Sequence, residues 1–164
     1  AIAVIASDDH EVVDRRRIEL VEPDVTPAPI HYKSARLTVE ETAALVAEVR
    51  ASILRAAAAA FDALPGPIAS ISLRRWPPDF PSDIETQRRV PYESRADAIM
   101  YRQELSELAQ ARGWAVHLYD AKAVVGEAEA LLGARAATVL DPGLGPPWTK
   151  DHRVALAATV LAAT

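Results

Sequence analysis

The sequence contains no cysteine, which removes disulfide frameworks, thiolate nucleophiles, iron–sulfur clusters and cysteine zinc sites together. Asparagine is also missing, and Lys33, Lys122 and Lys150 are the only lysines beside abundant arginine and alanine, a bias we attribute to coding. No apolar run approaches the roughly 20 residues that cross a bilayer. Ala1–Ser7 is too short for a signal peptide and lacks its basic flank, so the expectations are a cytoplasmic location and no membrane partner. Positive charge is not in excess: 18 Lys and Arg stand against 23 Asp and Glu, leaving −5. The chain as a whole therefore offers no attraction to phosphate backbones, and a nucleic-acid role needs a local basic patch. HExxH, GxxxxGK[ST], GxGxxG and a serine nucleophile elbow are all absent.

What is present suits one compact domain spanning 1–164, because half of the residues are hydrophobic and a quarter charged, enough to fill a core at this length. Ile2–Ala6 is a continuous apolar run and reads as a strand buried on both faces. Ser7-Asp8-Asp9-His10 supplies turn chemistry, and Val12 to Val21 resumes an extended pattern, so a β-hairpin is predicted. Pro23, Pro27 and Pro29 hold Glu22 to Leu37 in a loop. Thr38 with Glu41 is a capping box opening a long amphipathic helix that Pro65-Gly66-Pro67 ends. A short strand follows at Ile68 to Leu73, then a proline-rich surface loop from Arg74 to Pro91.

Helix resumes near Glu93 and stops at Gly113. Ala98, Tyr101, Leu105, Leu108 and Ala109 form its apolar face, and Glu93, Arg95, Asp97, Arg102 and Glu104 a solvated one. Trp114 to Tyr119 is a strand, and a third helix carries Val124, Val125, Leu131 and Leu132. Asp141 to Pro147 interrupts the chain before Thr149 caps a last helix that is almost wholly apolar from Val154 onward. This order predicts an α/β fold with a mixed sheet and right-handed βαβ passes.

Asp151 and His152 are the candidate catalytic pair, since a helix N-terminus presents free amides toward the carboxyl ends of sheet strands. Capping is the competing reading, because an Asp in a first turn is favoured by the macrodipole alone. Arg74, Arg75 and Trp76 directly follow a strand, where α/β sheets place ligands, and with Lys150 they form the candidate anion or nucleic-acid surface. Arg88 and Arg89 are further candidates for it, and Asp79, Asp83 and Glu85 oppose it. Arg15, Arg16 and Arg17 are the densest basic run, but on a strand neighbours point to opposite faces, so they read as edge protection. Trp148 beside two prolines reads as packing before stacking, and His117 as structurally bonded.

One strand ahead of Ala1 would give three meandering strands and then helix, strand, helix, strand, helix. That order resembles the ribonuclease H-like fold over nearly the whole chain. The sequence also resembles a family of uncharacterised bacterial proteins through Val12-Val13-Asp14-Arg15-Arg16-Arg17-Ile18-Glu19-Leu20 and Gly145-Pro146-Pro147-Trp148-Thr149-Lys150-Asp151-His152. Its stretch Asp151-His152-Arg153-Val154-Ala155-Leu156-Ala157 is similar to the acidic last-helix motif of RuvC-type Holliday junction resolvases. Asp151 matches the first acidic position, Val154 stands at the second, and Ser72-Leu73-Arg74 stands where that group ends its fourth strand in Glu.

The resemblance implies a metal-ligand role for Asp151, with Mg²⁺ the cofactor only if nuclease chemistry holds. The first functional expectation is a non-catalytic or degenerate ribonuclease H-like domain acting through contacts with a protein partner or with itself. The alternative is a divergent Mg²⁺-dependent nuclease or nucleic-acid-binding protein that uses Asp151, with Arg74, Arg75 and Lys150 on phosphate.

Overall fold

In the computed structural model, which describes residues 1–163, the strands are β1 (Ile2–Ala6), β2 (Val12–Arg17), β3 (Ser70–Arg74) and β4 (Ala115–Tyr119). The helices are α1 (Pro29–Lys33), α2 (Val39–Asp62), α3 (Ile84–Gln87), α4 (Glu93–Ala111), α5 (Val124–Leu132), α6 (Ala136–Leu140) and α7 (Lys150–Ala162). The chain is mixed α/β and divides into two compact units. The first comprises Ala1–Ile18, Leu64–Arg75 and Ala109–Thr164, the second Glu19–Ala63 and Trp76–Leu108.

The first unit holds every strand. β1 and β2 form the expected hairpin, antiparallel, with Ile2 opposite Arg17 and Val4 opposite Arg15. The second strand is shorter than its pattern suggested: Ile18 N–H donates to the Ala1 carbonyl at 2.9 Å, so pairing ends where the first strand begins. β3 and β4 run parallel, with Ser72 opposite His117. The strands thus make two separate two-stranded sheets in place of the single mixed sheet expected, because among the described residues no ladder joins one pair to the other.

α7 packs on both β1 and β3. Its Leu156, Ala157, Ala158 and Val160 are buried in a cluster with Val124, Ala128 and Leu140, against which Val4, Ala6 and Val12 pack. The apolar run from Val154 onward therefore does what its composition requires, since a helix hydrophobic almost all round must be covered on most sides. Ser72 Oγ donates to the Ala158 carbonyl at 2.9 Å and lies 3.3 Å from His117 Nδ1, which gives His117 the structural bond expected of it.

The second unit is helical. α2 opens as Thr38 and Glu41 dictate: Thr38 Oγ1 accepts from Glu41 N–H at 3.1 Å and Glu41 Oε2 from Thr38 N–H at 2.8 Å. Two stretches read as loops contain short helices. Pro29 stands at the start of α1, where its missing N–H costs nothing and its fixed φ helps. Asp83 caps α3 by accepting from Thr86 N–H at 2.8 Å.

The face of α4 expected to be solvated is so only in part: Arg95 is exposed and Glu93 and Arg102 half-buried, but Asp97 and Glu104 are not in solvent. Asp97 and Glu104 are 7% and 4% exposed. Asp97 accepts from the N–H groups of Ile30 at 3.0 Å and His31 at 2.9 Å, and Glu104 pairs with Arg50 of α2. Buried carboxylates are tolerated because each has a donor. Gly113, with φ +76°, ends the helical run as a left-handed cap.

Candidate functional site

The residues of the Asp151–His152 pair do come together with other chemistry, though not with the partners expected. A cleft of about 460 Å³ in the first unit is lined by Ile2, Arg15, Arg16, Arg17, Pro147, Thr149, Asp151 and His152. Three elements build it: the start of β1, the second half of β2 and the first turn of α7. The expectation that alternating Cβ directions keep the three arginines out of one patch does not hold, because all three contribute to the walls of this one cleft.

Arg15 is the fastening of the site. Its Nη1 donates to the carbonyls of Gly145 at 3.0 Å and Pro147 at 2.9 Å, and its Nη2 to that of Leu144 at 2.9 Å. The Gly-Pro-rich run before α7 has no regular secondary structure to take up its carbonyls, and one planar guanidinium gathers three of them. Arg15 also stands over the Trp148 ring, Cζ to centroid 5.8 Å, a cation–π distance. Arg16 Nε donates to Asp14 at 2.5 Å.

Trp148 lies in turn beside the His152 imidazole, centroids 5.5 Å apart and planes 31° from parallel. His152 is 4% exposed and sits at the third position of α7. Its Nδ1 accepts from Thr149 N–H at 3.2 Å and lies 2.8 Å from Thr149 Oγ1. Because a backbone amide can only donate, Nδ1 is the acceptor in this contact. The histidine thus plays the part Glu or Gln takes in an ordinary capping box. Asp151, next to it, is exposed in the first turn, a position the macrodipole favours.

The remaining predicted residues are elsewhere. Lys150 is exposed at the start of α7 and is not one of the walls. Arg74 ends β3 and is exposed. Arg75 Nη2 donates to the Leu118 carbonyl at 3.3 Å. Its charge also acts on Asp120, whose carboxyl is held below its ordinary value first by the Lys122 N–H and then by the Ala123 N–H and the Lys122 and Arg75 charges. Trp76 is half-buried in the second unit. Arg88 is committed to the carbonyls of Ser34 and Leu37, and Arg89 to Glu85.

An Mg²⁺ pair does not fit these side chains. Among the described residues no three of His, Asp and Glu gather into a group able to hold a metal ion, and Asp151 shares its cleft with arginines. A two-metal centre needs several carboxylates around ions about 4 Å apart. The residue the sequence reading undervalued is Arg15, whose carbonyl partners lie 129 to 132 positions away. The one local signal was the cluster of Gly and Pro before α7. No protein-family model, curated protein or solved structure matches the chain.

Proposed function

We propose that this chain is a non-catalytic, degenerate ribonuclease H-like domain that acts through contacts with a protein partner or with a second copy. The observation that carries the reading is the use of His152. The side chain best placed for acid–base work is 4% exposed and spends Nδ1 on the cap of its own helix, so it has one nitrogen left to offer and none with which to relay a proton. Asp151 beside it has no carboxylate partners within a metal-holding group. The ribonuclease H-like part of the reading is supported by the order of elements and by α7, which lies on both β1 and β3.

The nuclease alternative rests on the likeness of the α7 start to a resolvase motif, and it is the reading the test is built to admit. Mg²⁺ and Mn²⁺ are titrated by calorimetry into the protein and into Asp151→Ala, with labelled branched and single-stranded DNA assayed for cleavage and sedimentation followed across protein concentration. The expected result is no Asp151-dependent heat and no cleavage. Metal binding and cleavage that both vanish in Asp151→Ala would overturn the reading.

A further inference from the structure

We infer that β1 and β3 are the two rims of a groove beneath α7 that takes up one extended, uncharged, apolar segment of a partner protein as a strand, which deepens the partner-contact reading above and rests on it. The rims follow from the ladders. Ala1 exchanges both backbone bonds with Ile18, and beyond the bulge at Ile5/Ala6 the Ser7 N–H donates to the Glu11 carbonyl at 2.9 Å. By the alternation of an antiparallel pair, the odd residues of β1 therefore face β2, and Ile2, Val4 and Ala6 turn their N–H and C=O groups the other way. Arg75 N–H donates to the Tyr119 carbonyl at 2.8 Å and Ala115 N–H to the Ala69 carbonyl at 2.9 Å, so the odd residues of β3 face β4, and Ser70, Ser72 and Arg74 are turned away from it. Among the described residues, these outward backbone groups have no partner.

α7 brings the two rims together. It packs on β1 and on β3: Val4 and Ala6 lie against its buried cluster, and Ser72 Oγ donates to its Ala158 carbonyl at 2.9 Å. These are the inner strands of the two pairs, because with β2 or β4 in between the helix would have to cross that strand to touch both. The free edges of β1 and β3 thus face one another beneath α7. A helix with its side chains is about 10–12 Å across, and neighbouring strands lie about 4.8 Å apart. Two strands that share one covering helix without sharing a ladder leave the width of one strand between them.

The same geometry sets the occupant. Ile2–Ala6 carries no charge, proline or glycine, none of the devices that guard an exposed strand edge. β2 by contrast carries Asp14, Arg15, Arg16 and Arg17, and on the outer edge of β4 the Leu118 carbonyl is taken by Arg75 at 3.3 Å. A continuous apolar run is the composition of a strand with neighbours on both sides. The groove requires the same of what fills it, since α7 covers one face, and alternation puts Ala3, Ile5, Ile71 and Leu73 on the other. Two rims need a strand with two free edges. Among the described residues every strand already has one edge paired, so the sheets of a second copy cannot supply it. A partner segment that is unpaired before it binds can, with main-chain bonds on both sides.

The probe is a capped peptide of alternating Val and Ala between terminal Lys residues, with two backbone-methylated forms, each blocking the alternate N–H groups of one edge. Binding is read by calorimetry and from the Ile2 and Ser70 amide NMR signals. The expected result is that the unmodified peptide binds and each methylated form binds at least about tenfold more weakly, the scale of one or two lost hydrogen bonds. Ile2→Pro and Ser70→Pro each remove one outward donor at the first residue of a strand, where proline is tolerated, and each should weaken binding about fivefold, with circular dichroism confirming the fold. No binding at millimolar peptide would overturn the assignment. So would full binding by one methylated form, which would mean a single open edge, or unchanged binding by both folded proline variants. A dimer that the peptide dissociates in sedimentation would overturn the choice of occupant in favour of a second copy. Failure of the peptide together with silence in the metal and cleavage assays removes the groove and leaves the partner-contact reading. Asp151-dependent cleavage removes that reading whatever the peptide does.

Discussion

The two units solve the burial of polar groups in opposite ways. In the second, Ser34, Thr42, Ser52, Gln87, Asp97, Glu104 and Ser106 are all buried, whereas among the described residues of the first the one buried polar side chain in the same class is His152. The helical unit is keyed together by directed bonds: Asp97 to α1, Arg50 to Glu104, Ser52 Oγ accepting from Glu22 N–H at 2.9 Å. The strand-bearing unit is held by an apolar cluster around α7 and keeps its polar chemistry at one rim. Directed bonds specify which helix meets which, and apolar packing supplies stability without that specificity.

If that contrast is right, the first unit should be most sensitive to lost volume. Leu156 is wholly buried at the centre of α7, and Leu156→Ala should cost about 3 kcal/mol in urea unfolding, the transfer loss plus an unrelaxed cavity. A cost below 1 kcal/mol would mean that α7 is not the keystone of that unit. The second unit should respond instead to broken pairs. Arg50→Ala leaves the Glu104 carboxylate buried without its partner and should cost about 2 kcal/mol, less than a fully enclosed pair because Arg50 is 38% exposed. Replacing both residues together by Met and Leu should recover most of the loss, since it removes the stranded charge along with its partner.

How much of this was legible in the sequence follows the same division. The hairpin, α2 with its capping box, the end of α4 at Gly113 and the apolar α7 all come from local patterns: alternation, a Thr38–Glu41 spacing, a glycine, a periodic apolar run. The polar face of α4 was misread because periodicity shows which residues share a face and not what another element brings against it. Nothing within four residues of Asp97 marks the Ile30 and His31 amides as its partners. The cleft was half legible. Asp151 and His152 declared themselves by standing at a helix start, but Arg15 to Arg17 reach them only through pairing of β1 with β2 and the fold of the run before α7. The lack of a resolvase-like carboxylate at Arg74 was already plain from the residue itself.

The directed bonds of the second unit also make its stability depend on pH, and the sign is fixed by which form burial favours. Burial is the main influence on Asp97 and raises its carboxyl above the ordinary value, against the His31 and Ile30 amides and the His31 charge, which lower it. A carboxyl raised in the folded state contributes stability that is complete below its unfolded value and is lost as pH climbs through the folded one. Wild type should therefore lose stability relative to Asp97→Asn as pH rises from the ordinary Asp range, in denaturant titrations at a series of pH values. A difference that stays constant, or a wild type that loses stability relative to Asp97→Asn as pH falls, would show that the amides and not burial govern Asp97.

Tyr101 carries the smallest and most isolated of these effects. Its hydroxyl donates to the Pro27 carbonyl at 2.9 Å, and Tyr101→Phe should cost about 1 kcal/mol at neutral pH, the net value of one such bond. Burial, with the Asp97 charge second, pushes the phenol up to about 12. The neutral form is the one the fold accepts, so the contribution of that shift is whole below the ordinary phenol value near 10 and disappears as pH rises through about 12. Between those limits wild type should fall in stability while Tyr101→Phe stays flat, the two curves converging and crossing if the lost contribution exceeds the bond. Parallel curves across that window would place the hydroxyl in contact with water, and the second unit would then be less tightly closed around its polar groups than the first is around its apolar ones.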